Sequence, residues 1–412
     1  MMRPGLLARR RAPTICACVF LIAGLGGCTT AASPAVSVTG TTLTIYSSTP
    51  AAGGQQANDV LSAEQLALRQ AGGQVGDFKV VLKPVQVTTS NQIANITDNA
   101  RTAEADSSTI AYLGELVPGT SYASSVPITN QEDILQVSPG DTAIELTQST
   151  AAVPGAPDHA FPSLKTYGHT FGRVVPSAAL EAKAQMQEMK ALRVRKLYVT
   201  DDGSGDTYGA AIALAVRAAA ASVAPAIKVV QGPASSKGIK AARADALFLG
   251  ASSPSTAVRT FDEVAAIDPR MKLFGPSALD GQAFASGLSS AAAQRDVYIS
   301  APGFLNANNL TAAGRKFVAD FLAAYHHAPG PQAIFGYEAM AVVLDALKQA
   351  GKSASNRKNV AQDFFKLKSQ PSVLGTYSMN PDGDIGFAAG APFTFSHFKQ
   401  GKLVPFRFVA QG

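Results

Sequence analysis

Short apolar runs alternate with stretches of helical period along most of the chain. Leu43-Thr44-Ile45-Tyr46, Phe78 to Leu82, Thr109 to Leu113 and Ile134 to Val137 are rich in β-branched and aromatic residues and predict strands. Between the first two, Ala57, Val60, Leu61, Ala67, Leu68 and Ala71 recur on one face of a helix, which Gly72-Gly73 ends. Residues 92–105 predict a second helix. The pattern resumes after a Pro/Gly-rich stretch at 153–162. Ala178, Ala182, Met186 and Met189 line one helical face, Lys196 to Thr200 is a strand, and Asp206 caps an Ala-rich helix running to about Val223. Ile227 to Val230, Ala246 to Leu249, Lys272 to Phe274 and Val297 to Ser300 are further strands with helices between them. Residues 336–350 predict an amphipathic helix. Gly375 to Ser378, Asn380 to Asp384 and Phe393 to Phe395 read as a hairpin, a polar turn and another strand. Strands that alternate with helices imply parallel sheets covered on both faces. Two such series meet around residues 160–175, so the expected fold is α/β with two Rossmann-like lobes.

The first 27 residues do not fit this pattern. Arg3, Arg9, Arg10 and Arg11 form a basic head, and Thr14 to Leu25 is an uncharged, mostly apolar run. That run falls short of the about 20 residues a membrane span needs and has the proportions of a secretory leader. It ends in Leu25-Gly26-Gly27-Cys28, which resembles a bacterial lipobox; the alternative is a small-residue cleavage site with a cysteine nearby by chance. The expectation is a signal peptide over 1–27, lipid attachment at Cys28 and a flexible tether over 28–40. Exported in this way, the protein sits in the periplasm or on the outer face of the cytoplasmic membrane.

Composition changes the picture at one point. The 35 Lys and Arg against 29 Asp and Glu give +6, which hints at an anionic partner such as nucleic acid. Four of the arginines lie in the leader, which holds no acid, so the remainder carries 31 minus 29, or +2. No nucleic-acid partner is expected. Two of the three cysteines, Cys16 and Cys18, leave with the leader as well, so no internal disulfide is expected.

Catalytic and cofactor motifs are weak. Gly250-Ala251-Ser252-Ser253-Pro254 approaches a nucleophile elbow, but Pro254 takes the second Gly position, and His326, His327 and His397 lack a supporting pattern. A strand-to-helix loop with Pro254 in the first helical turn is the simpler reading, leaving a serine hydrolase as a remote alternative. Asp201 to Asp206 and Asn380 to Asp384 lack the glutamate that closes a calcium loop and read as turns. Ser236-Lys237-Gly238 reads as an isolated polar turn, and His326-His327 as a solvated helix end. No metal site, cofactor or enzymatic activity is expected. Binding geometry remains, because parallel sheets take ligands beyond the carboxyl ends of their strands. Gly114 to Ser121 follows one strand, and Ser138 to Ala143 follows another and opens a helix. Backbone N–H groups there, with the Thr142 hydroxyl, suit a carboxylate; the alternative is that Ser138 to Thr142 only caps the helix.

Several strings, in order, resemble one family. They are Leu43-Thr44-Ile45-Tyr46-Ser47-Ser48, Ala71-Gly72-Gly73, Thr109 to Glu115, Ile134 to Pro139 with Thr142, Phe171 to Pro176, Tyr208-Gly209, Phe274-Gly275-Pro276 and Gly375-Thr376-Tyr377. Together they resemble the substrate-binding lipoproteins of branched-chain amino-acid ABC transporters, relatives of the leucine/isoleucine/valine-binding protein. The resemblance spans about residues 41–410. It implies the type I periplasmic binding protein fold, two lobes joined by three crossings. Residues 41–174 with 300–374 would form the first lobe, and 175–299 with 375–412 the second.

The implied function is delivery of a small carboxylate-bearing solute to an ABC permease by a lipid-anchored monomer, the alternative being a sensory or partner-binding relative. The backbone at Gly140 and the donors of Thr142 match the family's carboxylate subsite, beside Gly119 and Thr120. Tyr208 matches an aromatic residue that closes over the ligand from the second lobe. Pro118 stands where the family has a carboxylate-binding serine, Ser252 replaces an aromatic residue, and Ser277 stands where an acid pairs with the ligand's ammonium. A buried ammonium without a partner costs several kcal/mol. Either Asp141 or Asp280 substitutes for the missing acid, or the ligand is not a simple α-amino acid.

Overall fold

The computed structural model describes residues 36–411 apart from 52–53, 89–91, 204 and 206. The leader, Cys28, most of the expected tether and the Asp206 cap lie outside these residues. Strands β1 (Thr42–Pro50), β2 (Gln74–Val75), β3 (Phe78–Val87), β4 (Thr109–Leu113), β5 (Leu135–Ser138) and β6 (Phe171–Arg173) form one sheet, in the order β2-β3-β1-β4-β5-β6. Its neighbours run parallel except for the short β2–β3 pair. β4 is buried along its whole length, as a strand covered on both faces must be.

The second sheet begins with β7 (Lys196–Asp201), β8 (Lys228–Gln231), β9 (Ala246–Gly250), β10 (Lys272–Gly275) and β11 (Val297–Pro302). A hairpin of β12 (Tyr377–Met379) and β13 (Ile385–Phe387) precedes β14 (Ala391–Lys399) and β15 (Lys402–Gln411). The last two strands add antiparallel to the edge, giving the order β15-β14-β11-β10-β9-β7-β8. In each sheet the strand order reverses, between β1 and β4 and between β7 and β9. Such reversals leave a crevice beyond the carboxyl ends of the strands.

Helices Gly54–Gln70 and Ala333–Ala350 pack together over the first sheet, where Leu43, Ile45, Leu135, Phe335, Met340 and Phe364 share one core. The expected crossing at 300 lies inside β11, which stays in the second sheet to Pro302. The one at 375 precedes the β12–β13 hairpin, whose Tyr377, Met379 and Ile385 join the first core. A second core joins Val126, Ile144, Phe161 and Phe171 to Met186, Leu197, Tyr208 and Phe274, so apolar packing is continuous between the two sheets' helices and loops.

Three local expectations are corrected. The segment opened by Ser138 to Ala143 is a single 3-10 turn, Ile144–Leu146, rather than a helix. The carbonyls of Asp141 and Ala143, which would start a helix, instead accept Arg173 Nη1 at 3.2 and 2.6 Å. Ser236-Lys237-Gly238 is the first turn of a helix, Ser236–Ala242, capped by Ser235, whose Oγ accepts the Gly238 N–H at 3.2 Å. The final strand, β15, was not anticipated; it completes the sheet edge by pairing with β14.

Candidate functional site

The loop after β4 and the loop after β5 are locked together before either meets the second lobe. Ser138 Oγ donates to the Glu115 carbonyl at 2.7 Å and accepts the N–H groups of Gly140 and Asp141 at 3.1 and 2.7 Å. The Gly140 N–H, read from the sequence as a carboxylate donor, is therefore engaged. A side chain at Gly140 would put its Cβ 2.4 Å from the Leu116 carbonyl, so only glycine lets the loops approach this closely. Glu115 is buried and accepts Ser48 Oγ at 2.7 Å and the Tyr112 hydroxyl at 2.8 Å. Burial pushes its carboxyl up to about 8, which keeps it protonated at neutral pH.

Asp141 turns its carboxylate inward. Oδ1 accepts the N–H groups of Gly119 at 2.7 Å and Ala143 at 3.1 Å; Oδ2 accepts those of Thr120 at 3.1 Å and Ser121 at 2.9 Å. Three successive N–H groups converging on one anion form a nest. The Thr120 hydroxyl donates to the Val117 carbonyl at 2.7 Å. Beneath the loop, the fully buried Arg173 uses Nε and Nη2 on Asp384, each at 2.7 Å, Nη2 also on Thr147 Oγ1 at 2.7 Å, and Nη1 on the two carbonyls already described. Four of its N–H donors are hydrogen-bonded, and Nη2 also stands in ion-pair contact with Asp384.

The facing lobe contributes hydroxyls. Ser277, just past β10, has its Oγ 3.3 Å from Thr142 Oγ1 and 3.3 Å from the Tyr208 hydroxyl. Tyr208 sits in the first turn of helix Thr207–Val223, and a Cβ on Gly119 would lie 2.9 Å from its own Cβ. Burial, then Glu181, raises the Tyr208 phenol well above its ordinary value, so it stays neutral. A cavity of about 20 Å³ lies between the lobes, lined by Leu116, Pro118, Pro139, Gly140, Thr142, Val175, Ser277, Pro302 and Gln332. That volume holds about one water.

Pro118, Gly140, Thr142 and Ser277 are thus brought together, with Tyr208, Gly119, Thr120 and Asp141 directly behind them. Ser252 lies on the loop between β9 and helix Pro254–Ile267 and does not line the cavity. Asp280 is pushed up to about 6 by burial and does not line it either. Sequence reasoning missed Glu181. It sits in the first turn of helix Ala178–Ala191 and accepts the Ser277 N–H at 2.6 Å, Ser277 Oγ at 2.8 Å and Ser300 Oγ at 2.5 Å. Burial pushes its carboxyl up to about 7 against the lowering pull of those hydrogen bonds. The available signal was an acid beside Ala178 and Ala182 on an otherwise apolar helical stripe.

No protein-family profile and no curated relative matches this sequence. Solved structures do. The leucine-binding protein LivK of Thermotoga maritima superposes with a TM-score of 0.70 at 17% identity, over 89% of this chain and 99% of its own. The branched-chain amino acid transporter substrate-binding protein LivJ of Streptococcus pneumoniae, in complex with isoleucine, gives 0.66 at 16% identity over 90% and 99%. A solute-binding protein of an R. palustris ABC transporter, in complex with benzoate, gives 0.63 at 16% identity over 90% and 97%. These likenesses establish the architecture expected from the sequence: the chain has the two-lobed fold of the branched-chain amino acid ABC transporter substrate-binding proteins.

Proposed function

We propose that this protein is an extracytoplasmic solute receptor that binds a small molecule between its lobes and delivers it to an ABC permease. The observation that carries the reading is the cavity at the carboxyl ends of both sheets, largely apolar and spanned by the Thr142–Ser277 hydroxyl contact. The ligands of the similar structures, isoleucine in one and benzoate in another, support a small organic solute. The cavity of about 20 Å³ is smaller than either kind of molecule, so the lobes separate to admit a solute and close around it. Cys28 belongs to the same reading as the lipid attachment point that keeps the receptor beside its permease. The role assigns no bond-making step to any residue.

A thermal-shift screen of the leader-free protein against amino acids, amides and short acids tests the reading. At least one compound is expected to raise Tm with a saturating dose response. Thr142→Ala is expected to weaken that compound by about 1–3 kcal/mol if a hydrogen bond to a charged group is lost, less for a neutral one. A panel without a single stabilising compound sinks the receptor reading.

A further inference from the structure

The nest formed by Gly119, Thr120 and Ser121 is filled by the protein's own Asp141, with Ala143 giving a fourth N–H. Each carboxylate oxygen accepts two N–H groups, so the nest has no donor left for a second anion. Residues on both sides of Asp141, Gly140 and Thr142, line the cavity. Among the described residues no lysine or arginine lines it, and Arg173, the cation beneath, is committed to Asp384, Thr147 and the Asp141 and Ala143 carbonyls.

Across the cleft, Ser277 gives its hydroxyl proton to Glu181 at 2.8 Å when that carboxyl is ionised. Ser277 Oγ also lies 3.3 Å from the hydroxyls of Thr142 and of Tyr208, either of which can donate to it. A solute carboxylate would therefore lie between the buried carboxylate of Asp141, behind Gly140 and Thr142, and Glu181 behind Ser277, with only neutral donors and no cation among the described lining residues to offset them. A solute N–H or O–H can instead replace one of the long hydroxyl contacts at Ser277 Oγ as its donor. Of the rest of the lining, Leu116, Pro118, Pro139, Val175 and Pro302 suit a short apolar body, and the neutral amide of Gln332 can both donate and accept.

We propose that Asp141 is a built-in occupant of the cleft's anion site. The solute this chain takes is then a small carboxylate-free molecule with a hydrogen-bond-donating amide, amine or alcohol head on an apolar body. Glu181 is a positioning residue that sets Ser277 as acceptor. The inference rests on the receptor reading but reverses the carboxylate preference expected from the sequence.

Matched pairs test it by calorimetry and thermal shift: isobutyramide against isobutyrate, and leucinamide against leucine, on the leader-free protein. The amide of each pair is expected to bind at least about tenfold more tightly than its acid, as like charge in a closed cleft requires. Asp141→Ala empties the nest and is expected to narrow or invert that ratio; Asp141→Asn, nearly isosteric, moves it the same way if the alanine variant fails to fold. Acids bound as tightly as amides by the unmodified protein overturn the inference and leave the receptor reading standing. No binding by any pair, to the unmodified protein or the variants, overturns both.

Discussion

A single side chain, Arg173, holds the site's shape. It is buried within the short β6, and its partners lie 26 to 211 residues away in sequence. It ties the β12–β13 turn, through Asp384, to the backbone that presents Asp141 and Thr142. Removing a buried guanidinium leaves its carboxylate partner without a counter-charge, which costs about 3–5 kcal/mol. Arg173→Ala is therefore expected to lower stability by that order in urea denaturation. Arg173→Lys keeps the charge but replaces a planar fork of five donors by one nitrogen, so it should recover only part of the loss. A lysine variant as stable as the parent would show that charge alone, not the fork, supports the loop. From the sequence, Arg173 was legible only as one letter in a familiar string, because none of its partners is close enough along the chain to suggest the network.

At the scale of elements, helix Thr207–Val223 is seated directly on β9, and this seating places Tyr208. A Cβ on Gly250 would lie 2.1 Å from the Gly209 carbonyl and 3.2 Å from the Ala213 methyl. Backbone cannot yield as a flexible side chain can, so Gly250→Ala should push the helix away from the sheet. Overpacking of this kind costs about 1–3 kcal/mol or more. The variant is expected to lose stability in denaturant and, because Tyr208 moves with the helix, to lose solute affinity as well; unchanged affinity would detach Tyr208 from the site. Thr109–Leu113 was legible to the residue because burial on both faces leaves a continuous apolar run, and helix 92–105 because Ile96, Ala100 and Ala103 recur on its one buried face. The helix Ser236–Ala242 was not, because its seven residues bury only Ile239 and carry little period. Nor was the 3-10 turn at Ile144, where Arg173 overrides the local preference. The loops after β4 and β5 were legible as loops that follow strands, but the direction in which Asp141 turns depends on N–H groups about twenty residues earlier, which no periodicity encodes.

Among the described residues, several acids are buried with no cation among the causes of their shifts. Glu64 and Glu115 are pushed up to about 8, and Glu181 and Glu338 to about 7, in each case chiefly by burial. Unfolded, the same carboxyls ionise near 4.5. Between that value and about 8 the folded protein holds protons that the unfolded chain has released, so stability falls as pH rises through this window and levels off above it. Each pKa unit is worth about 1.4 kcal/mol, so one such carboxyl contributes a decline of order 3 kcal/mol. Asp106 sets the acid flank: burial raises it, but hydrogen bonds from Lys83 and Ser108 more than offset this, and the stability it confers is lost as pH falls below about 3.8. The expected stability maximum thus lies near pH 4 to 5, below the neutral range. Calorimetric Tm values taken from pH 4 to 9 should fall steadily between 5 and 8. Glu64→Gln keeps the shape of the side chain between helix Gly54–Gln70 and the first sheet while removing its titration, so its profile should be shallower over the same interval. A parent profile that stays level or rises from pH 5 to 8 would mean that these carboxyls ionise in the folded state at ordinary values. Glu181 would then stand charged behind Ser277 throughout, and the cleft's preference for donor groups would persist unchanged to the acid end of the range.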